Sequence, residues 1–108
     1  MEFVGFREIV ITQTSTDGPS SITIPLEVDS GHVLKILNVL ETYFASYSSN
    51  TIKLDGYNIY KSSNSNISYS TNFPLFVSEG THELSYSCWD TQNRSAKLIC
   101  QEFKLTPP

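Results

Sequence analysis

Apolar and polar residues alternate with a period of two along most of the chain, and turn residues interrupt the alternation at short intervals. The clearest case is TIKLDGYNIY, residues 51–60. Its two-residue Asp55-Gly56 loop favours a type I′ turn, because both residues tolerate positive φ. That turn predicts Leu54 opposite Tyr57 and Ile52 opposite Ile59, four apolar residues on one face. Thr51, Lys53, Asn58 and Tyr60 then share the other face, three of them polar. In HELSYSCW, residues 82–89, the same alternation predicts Leu84, Tyr86 and Cys88 inward and Glu83, Ser85 and Ser87 outward. Further strands are predicted at 3–13 (FVGFREIVITQ, a mixed pattern), 22–25 (ITIP), 73–77 (FPLFV) and 96–105 (AKLICQEFKL). Pro25 lacks an N–H, so it ends its strand or places it at a sheet edge.

Residues 32–44 (HVLKILNVLETYF) are ambiguous. Val33, Leu34, Ile36, Leu37, Val39, Leu40, Tyr43 and Phe44 have the three- and four-residue spacings of an amphipathic helix, which Asp29 or Ser30 could cap. A strand apolar on both faces has the same pattern, and the β-rich surroundings favour it. About eight strands with turns every eight to twelve residues predict an all-β fold. The expected architecture is a single antiparallel β-sandwich, jelly-roll-like, spanning residues 1–108. Residues 1–18 are its first strand or, alternatively, an attachment arm. The Ser/Asn-rich stretch 62–72 reads as a surface loop crossing from one sheet to the other.

Composition narrows the function. A 108-residue chain buries roughly 60–70% of the surface its unfolded form exposes, enough for one core. Charged residues make up 17%, net charge is −4, and the seven Lys and Arg are scattered. Nucleic acid and anionic membrane surfaces therefore lose their usual electrostatic footprint. No apolar run approaches the roughly 18 residues of a transmembrane segment, and Glu2 stands where a signal peptide would be basic. Two cysteines are too few for a disulfide scaffold.

Candidate chemistry is sparse. There is no HExxH, no G-x-S-x-G, no phosphate-binding glycine loop and no metal-spaced Cys/His cluster, so neither an enzyme nor a cofactor is expected. Glu79 and His82 could meet across the EGTHE turn. His32 stands alone, and Asp17, Asp29, Asp55 and Asp90 all fall in turns where they would cap local amides. Cys88 and Cys100 would oppose each other if 82–105 formed one hairpin, and the absence of an export signal favours free thiols. In that register Trp89, Ile99, Phe103 and Leu105 fall together on the opposite, outer face. They would form an apolar patch suited to a protein interface unless a bulge between 96 and 103 returns them to the core. Near the Ser/Asn stretch the aromatic platforms are Tyr60 and Tyr69, the candidates for glycan or receptor contact.

Several segments taken in order resemble small β-sandwich modules of bacteriophage virion proteins. They are ITIP, the glycine turn followed by VLKI, the LDGYNIY hairpin, NFPLFVSEGT and the closing LICQEFKLTP. The likeness covers about residues 22–106. Leu34 replaces an aromatic residue of that pattern and Phe76 a tryptophan. The resemblance implies a non-enzymatic virion structural protein: a capsid decoration or vertex protein, a head fibre or a tail adhesin. Such a protein would assemble with itself as a trimer or pentamer and dock on other virion proteins. It would bury the Trp89/Ile99/Phe103/Leu105 face and pair edge strands, in a virion assembled in the host cytoplasm. The alternative is a carbohydrate- or receptor-binding module.

Overall fold

The computed structural model describes residues 1–13, 20–41, 49–63, 68–71, 73–88 and 94–106. They form nine strands: β1 (Glu2–Gln13), β2 (Ser20–Val28), β3 (His32–Glu41), β4 (Ser49–Leu54), β5 (Tyr57–Ser63), β6 (Ser68–Thr71), β7 (Leu75–Val77), β8 (Gly80–Cys88) and β9 (Arg94–Lys104). Two antiparallel sheets, ordered β1-β9-β3-β7 and β2-β8-β4-β5-β6, make the expected sandwich. Strand β1 pairs with β9, β2 with β8, β3 with β7 and β4 with β5. Those pairs are one long hairpin with its tip at Asp55-Gly56. Rolling it up adds the β3–β9 and β4–β8 pairings and gives a jelly roll.

The 32–44 ambiguity resolves as strand through Glu41. Leu34, Ile36 and Val39 are buried, and the inward parity shifts because a bulge sits between Ile36 and Asn38. The helix-like spacing arises because Val33 and Leu40 add apolar side chains on the outer face. Tyr43 and Phe44 lie outside the described residues.

Three expectations need correction. The Asp55-Gly56 turn has positive φ at both residues (51° and 85°), as type I′ requires, but the ladder slips at once. Lys53 pairs with Asn58 and Ile52 with Tyr60, leaving Ile59 as an extra residue. The bulge turns Tyr60 into the core at 3% exposure, while Tyr57 at the tip is 77% exposed. Tyr60 is therefore not a surface platform.

The Ser/Asn stretch is not simply a loop. Strand β5 runs on to Ser63, and Ser68–Thr71 returns beside it as an added edge strand, Tyr60 opposite Thr71 and Ser63 opposite Ser68. The last two strands are no hairpin, since β8 and β9 belong to different sheets. Cys100 is a buried free thiol. Of the two readings of 1–18, residues 2–13 follow the first-strand one, paired along β9, and 14–18 lie outside the described residues.

Candidate interaction surface

The two outer faces of the sandwich differ in kind. On the five-stranded sheet the outward rows are Thr23-Ser85-Lys53-Asn58, Ser21-Ser87-Thr51-Lys61 and the pairs Pro25-Glu83 and Glu27-Thr81. Pro25 is the one apolar residue among these twelve, and Ser21 and Ser87 share a 2.6 Å Oγ–Oγ hydrogen bond. On the four-stranded sheet the register gives five outward rows, the last of them the polar pair Thr12-Ser95. The other four are Val10-Lys97-Leu40, Glu8-Ile99-Asn38, Phe6-Gln101-Lys35-Phe76 and Phe3-Phe103-Val33. Eight of these fifteen residues are apolar, all of them in those four rows.

Several stand well clear of the surface: Phe6 is 71% exposed, Val10, Leu40 and Phe76 each 52%, and Phe3 48%. Phe3 packs edge-on against both Phe6 (5.3 Å between centroids) and Phe103 (5.6 Å). The Lys35 ammonium lies 5.6 Å from the centre of the Phe76 ring, and Lys97 lies 3.4 Å from Glu8. From strand and row spacings those four rows span ~26 Å and are ~14 Å wide, ~19 Å where β7 adds Phe76, roughly 400 Å² in projection. That lies within the range of the largest patches that monomers leave uncovered, which are often functional.

Of the sequence-predicted patch, the structure places Ile99 and Phe103 on this face. Leu105 follows the last paired row, 47% exposed and anchored by its N–H to the Gly31 carbonyl at 2.7 Å. Trp89 lies outside the described residues. The competing reading, a bulge in 96–103, does not hold. Ala96, Leu98 and Cys100 are each 0% exposed at strict alternation, and the bulges lie in β1 and β3 instead. Sequence reasoning missed the contributions of β1, β3 and β7: Phe3, Phe6, Val10, Val33, Leu40 and Phe76. The signal was present in the mixed pattern of 3–13, which is apolar on both sides of a strand.

Tyr60, an alternative contact residue, instead joins a polar knot between the sheets. Its hydroxyl donates to Glu41 Oε1 (2.6 Å), while Tyr86 and Asn50 Nδ2 donate to Oε2 (2.7 and 2.6 Å). Ala96, opposite Glu41, is the smallest residue of the inner β9 row and leaves room there. Asn50 is 2% exposed, and its Oδ1 has no partner. The side chain of Tyr69 lies outside the described residues.

The EGTHE turn is wired differently from expectation. Glu79 accepts from Gly31 N (2.7 Å), whereas His82 Nδ1 lies 2.6 Å from Asp55 Oδ2 and its Nε2 lies 2.8 Å from the Ser78 carbonyl. Asp55 Oδ1 accepts from Glu83 N. Asp55 thus ties the hairpin tip to β8, a remote amide rather than a local cap. The His82 hydrogen bond, then the Glu83 amide, hold the Asp55 carboxyl below its usual range. The Asp55 hydrogen bond chiefly raises His82, against some desolvation. Between this tip and β7 opens a cleft of ≈ 370 Å³ lined by Asp55, Tyr57, Asn58, Phe76 and His82 over a floor that includes Leu54.

His32 is not alone either. Its Nδ1 lies 2.9 Å from Glu102 Oε2, and Arg7 reaches Glu102 at 3.7 Å. With Asp29 these ligand atoms lie within 4.8 Å of one another, but Arg7 already supplies Glu102 with positive charge. The cluster reads as a structural ion-pair network.

Comparison with protein-family models, curated proteins and solved structures gives no match. Among the described residues, no helix is long and apolar enough to cross a membrane.

Proposed function

We propose that this chain is a non-enzymatic assembly module whose four-stranded face is buried against the same face of a second copy. The observation that carries the reading is the contrast between the two outer surfaces, one apolar at a single position of twelve and the other at eight of fifteen. Face-to-face apposition would bury roughly 800 Å², the size of a weak, concentration-dependent interface. The face carries Glu8 beside Lys97 and Lys35, so a second copy offers both signs of charge to it. Sheet-on-sheet packing is also the mode by which sandwiches already bury their inner faces.

The wider role, a virion structural protein that docks on other capsid or tail components, is supported by the sequence resemblance alone. The test is Phe6→Ser with Phe76→Ser, both on exposed side chains. Sedimentation velocity should show association weakened at least tenfold, with the melting temperature kept within a few degrees. Unchanged association would overturn the reading.

The cleft at the hairpin tip favours a second reading, a carbohydrate- or receptor-binding module. The contact residues there are Tyr57 and Phe76, with Tyr57 in place of the buried Tyr60. A glycan screen in which Tyr57→Ala abolishes a wild-type hit would support it; no wild-type hit would count against it.

A further inference from the structure

The sandwich has four sheet edges, and they are not equally protected. Strand β7 is three residues long and β6 four, too short to template much pairing. Strand β2 carries Pro25 at its middle, and one of its carbonyls, Glu27 O, already accepts from Arg7 Nη1 at 2.7 Å. Strand β1 is the exception. It is twelve residues long, contains no proline, and its one bulge lies at Phe3–Gly5. Phe6–Gln13 is therefore an uninterrupted edge of eight residues, the longest unguarded one among the described residues.

We infer that this edge pairs antiparallel with β1 of a second copy, joining two four-stranded sheets into one of eight strands. The inference rests on the assembly reading above and adds a second, separate contact to it. An antiparallel pair of identical strands is isologous, with its two-fold axis perpendicular to the sheet. The axis must pass through a residue position, since opposed side chains share a face. Centring it on Arg7 or Glu8 sets like charges opposite each other, which disfavours those registers. Centring it on Ile9 or Val10 opposes Glu8 to Val10 or Thr12 of the second copy and avoids the clash.

Such pairing keeps both outer faces on the same side, so Phe6 and Val10 of the two copies extend one apolar surface. Face-to-face packing uses a two-fold lying parallel to the sheet. Combined, the two perpendicular axes close a D2 tetramer rather than the trimer or pentamer implied by the resemblance.

Amide hydrogen exchange on the full wild-type chain, at concentrations below and above association, tests this together with the mass of the Phe6→Ser/Phe76→Ser variant. Alternate amides within Phe6–Gln13, those not bonded to β9, should exchange at least tenfold more slowly in the associated state. The edge amides of β2, β6 and β7 should not change. The face variant should stop at a dimer and retain the β1 protection. Association without β1 protection overturns the edge inference and leaves face packing standing. β1 protection with an unchanged variant mass overturns face packing and leaves the edge standing. A wild-type monomer at every concentration overturns both.

Discussion

Replacing Tyr86 by Phe removes a single oxygen from the centre of the sandwich. Tyr86 is 0% exposed and its hydroxyl donates to Glu41 Oε2 at 2.7 Å. A hydrogen bond to a charged acceptor contributes about 1.5–3 kcal/mol net. Glu41 keeps Asn50 on the same oxygen and Tyr60 on the other, so the carboxylate is not orphaned and the loss should fall in the lower half of that range. We expect about 2 kcal/mol. For a domain of this size that corresponds to a melting temperature lower by roughly 8–15 °C.

The assay is urea unfolding at a concentration low enough to keep the chain monomeric, with an unchanged m-value as evidence that only stability moved. A double-mutant cycle sharpens it. In a Glu41→Gln background Tyr86→Phe should cost at least about 1 kcal/mol less, because the charged acceptor is gone. A Tyr86→Phe variant within about 0.5 kcal/mol of wild type would refute the argument that this knot contributes to stability.

Two further predictions concern titrating groups. Burial, only partly offset by nearby Arg7, pushes the Cys100 thiol up to about 11. In a Cys88→Ser background its reaction with a disulfide reagent at pH 8 should be at least about a hundredfold slower in the folded than in the unfolded chain; comparable rates would contradict its burial. His82 has an acceptor at each ring nitrogen, which the imidazolium alone can satisfy. Its raised value means stability is fully present below about pH 6.5 and lost as pH rises through the folded value. The lowered value of Asp55 means stability is present above about pH 4 and lost as pH falls through its folded value. Urea midpoints should therefore be highest between those limits, and His82→Gln should flatten the alkaline side; an identical alkaline slope in the variant would show that His82 is not the group responsible.

The strands, the type I′ turn and much of the inward set were legible in the sequence because period-two alternation reports directly on a half-buried strand. Leu84 and Tyr86 on β8 and Ile52 and Leu54 on β4 all fell inward as the pattern required. What alternation cannot report is backbone pairing without a side-chain pattern. Strand β6 is an edge strand of Ser, Tyr and Thr held by main-chain bonds, so it read as loop. Nor can it report bulges: one extra residue at Ile59 moved Tyr60 from the predicted surface to the core and into the Glu41 knot. The β8–β9 connection read as a hairpin because sequence proximity normally implies pairing, whereas rolling the long hairpin puts these strands in different sheets. The interaction face was half visible. Ile99 and Phe103 stood out against an otherwise clean alternation, but β1 and β3, apolar on both sides, gave a mixed pattern and an apparent helix.

The most direct test of the assembly reading is the absolute mass of the untagged chain by size exclusion with light scattering, across a concentration series. The account expects the mass to rise with concentration from that of the 12.1 kDa chain towards four times that value. A mass that stays at the single-chain value to millimolar concentration would contradict it, and would leave the apolar face without the second copy assigned to it.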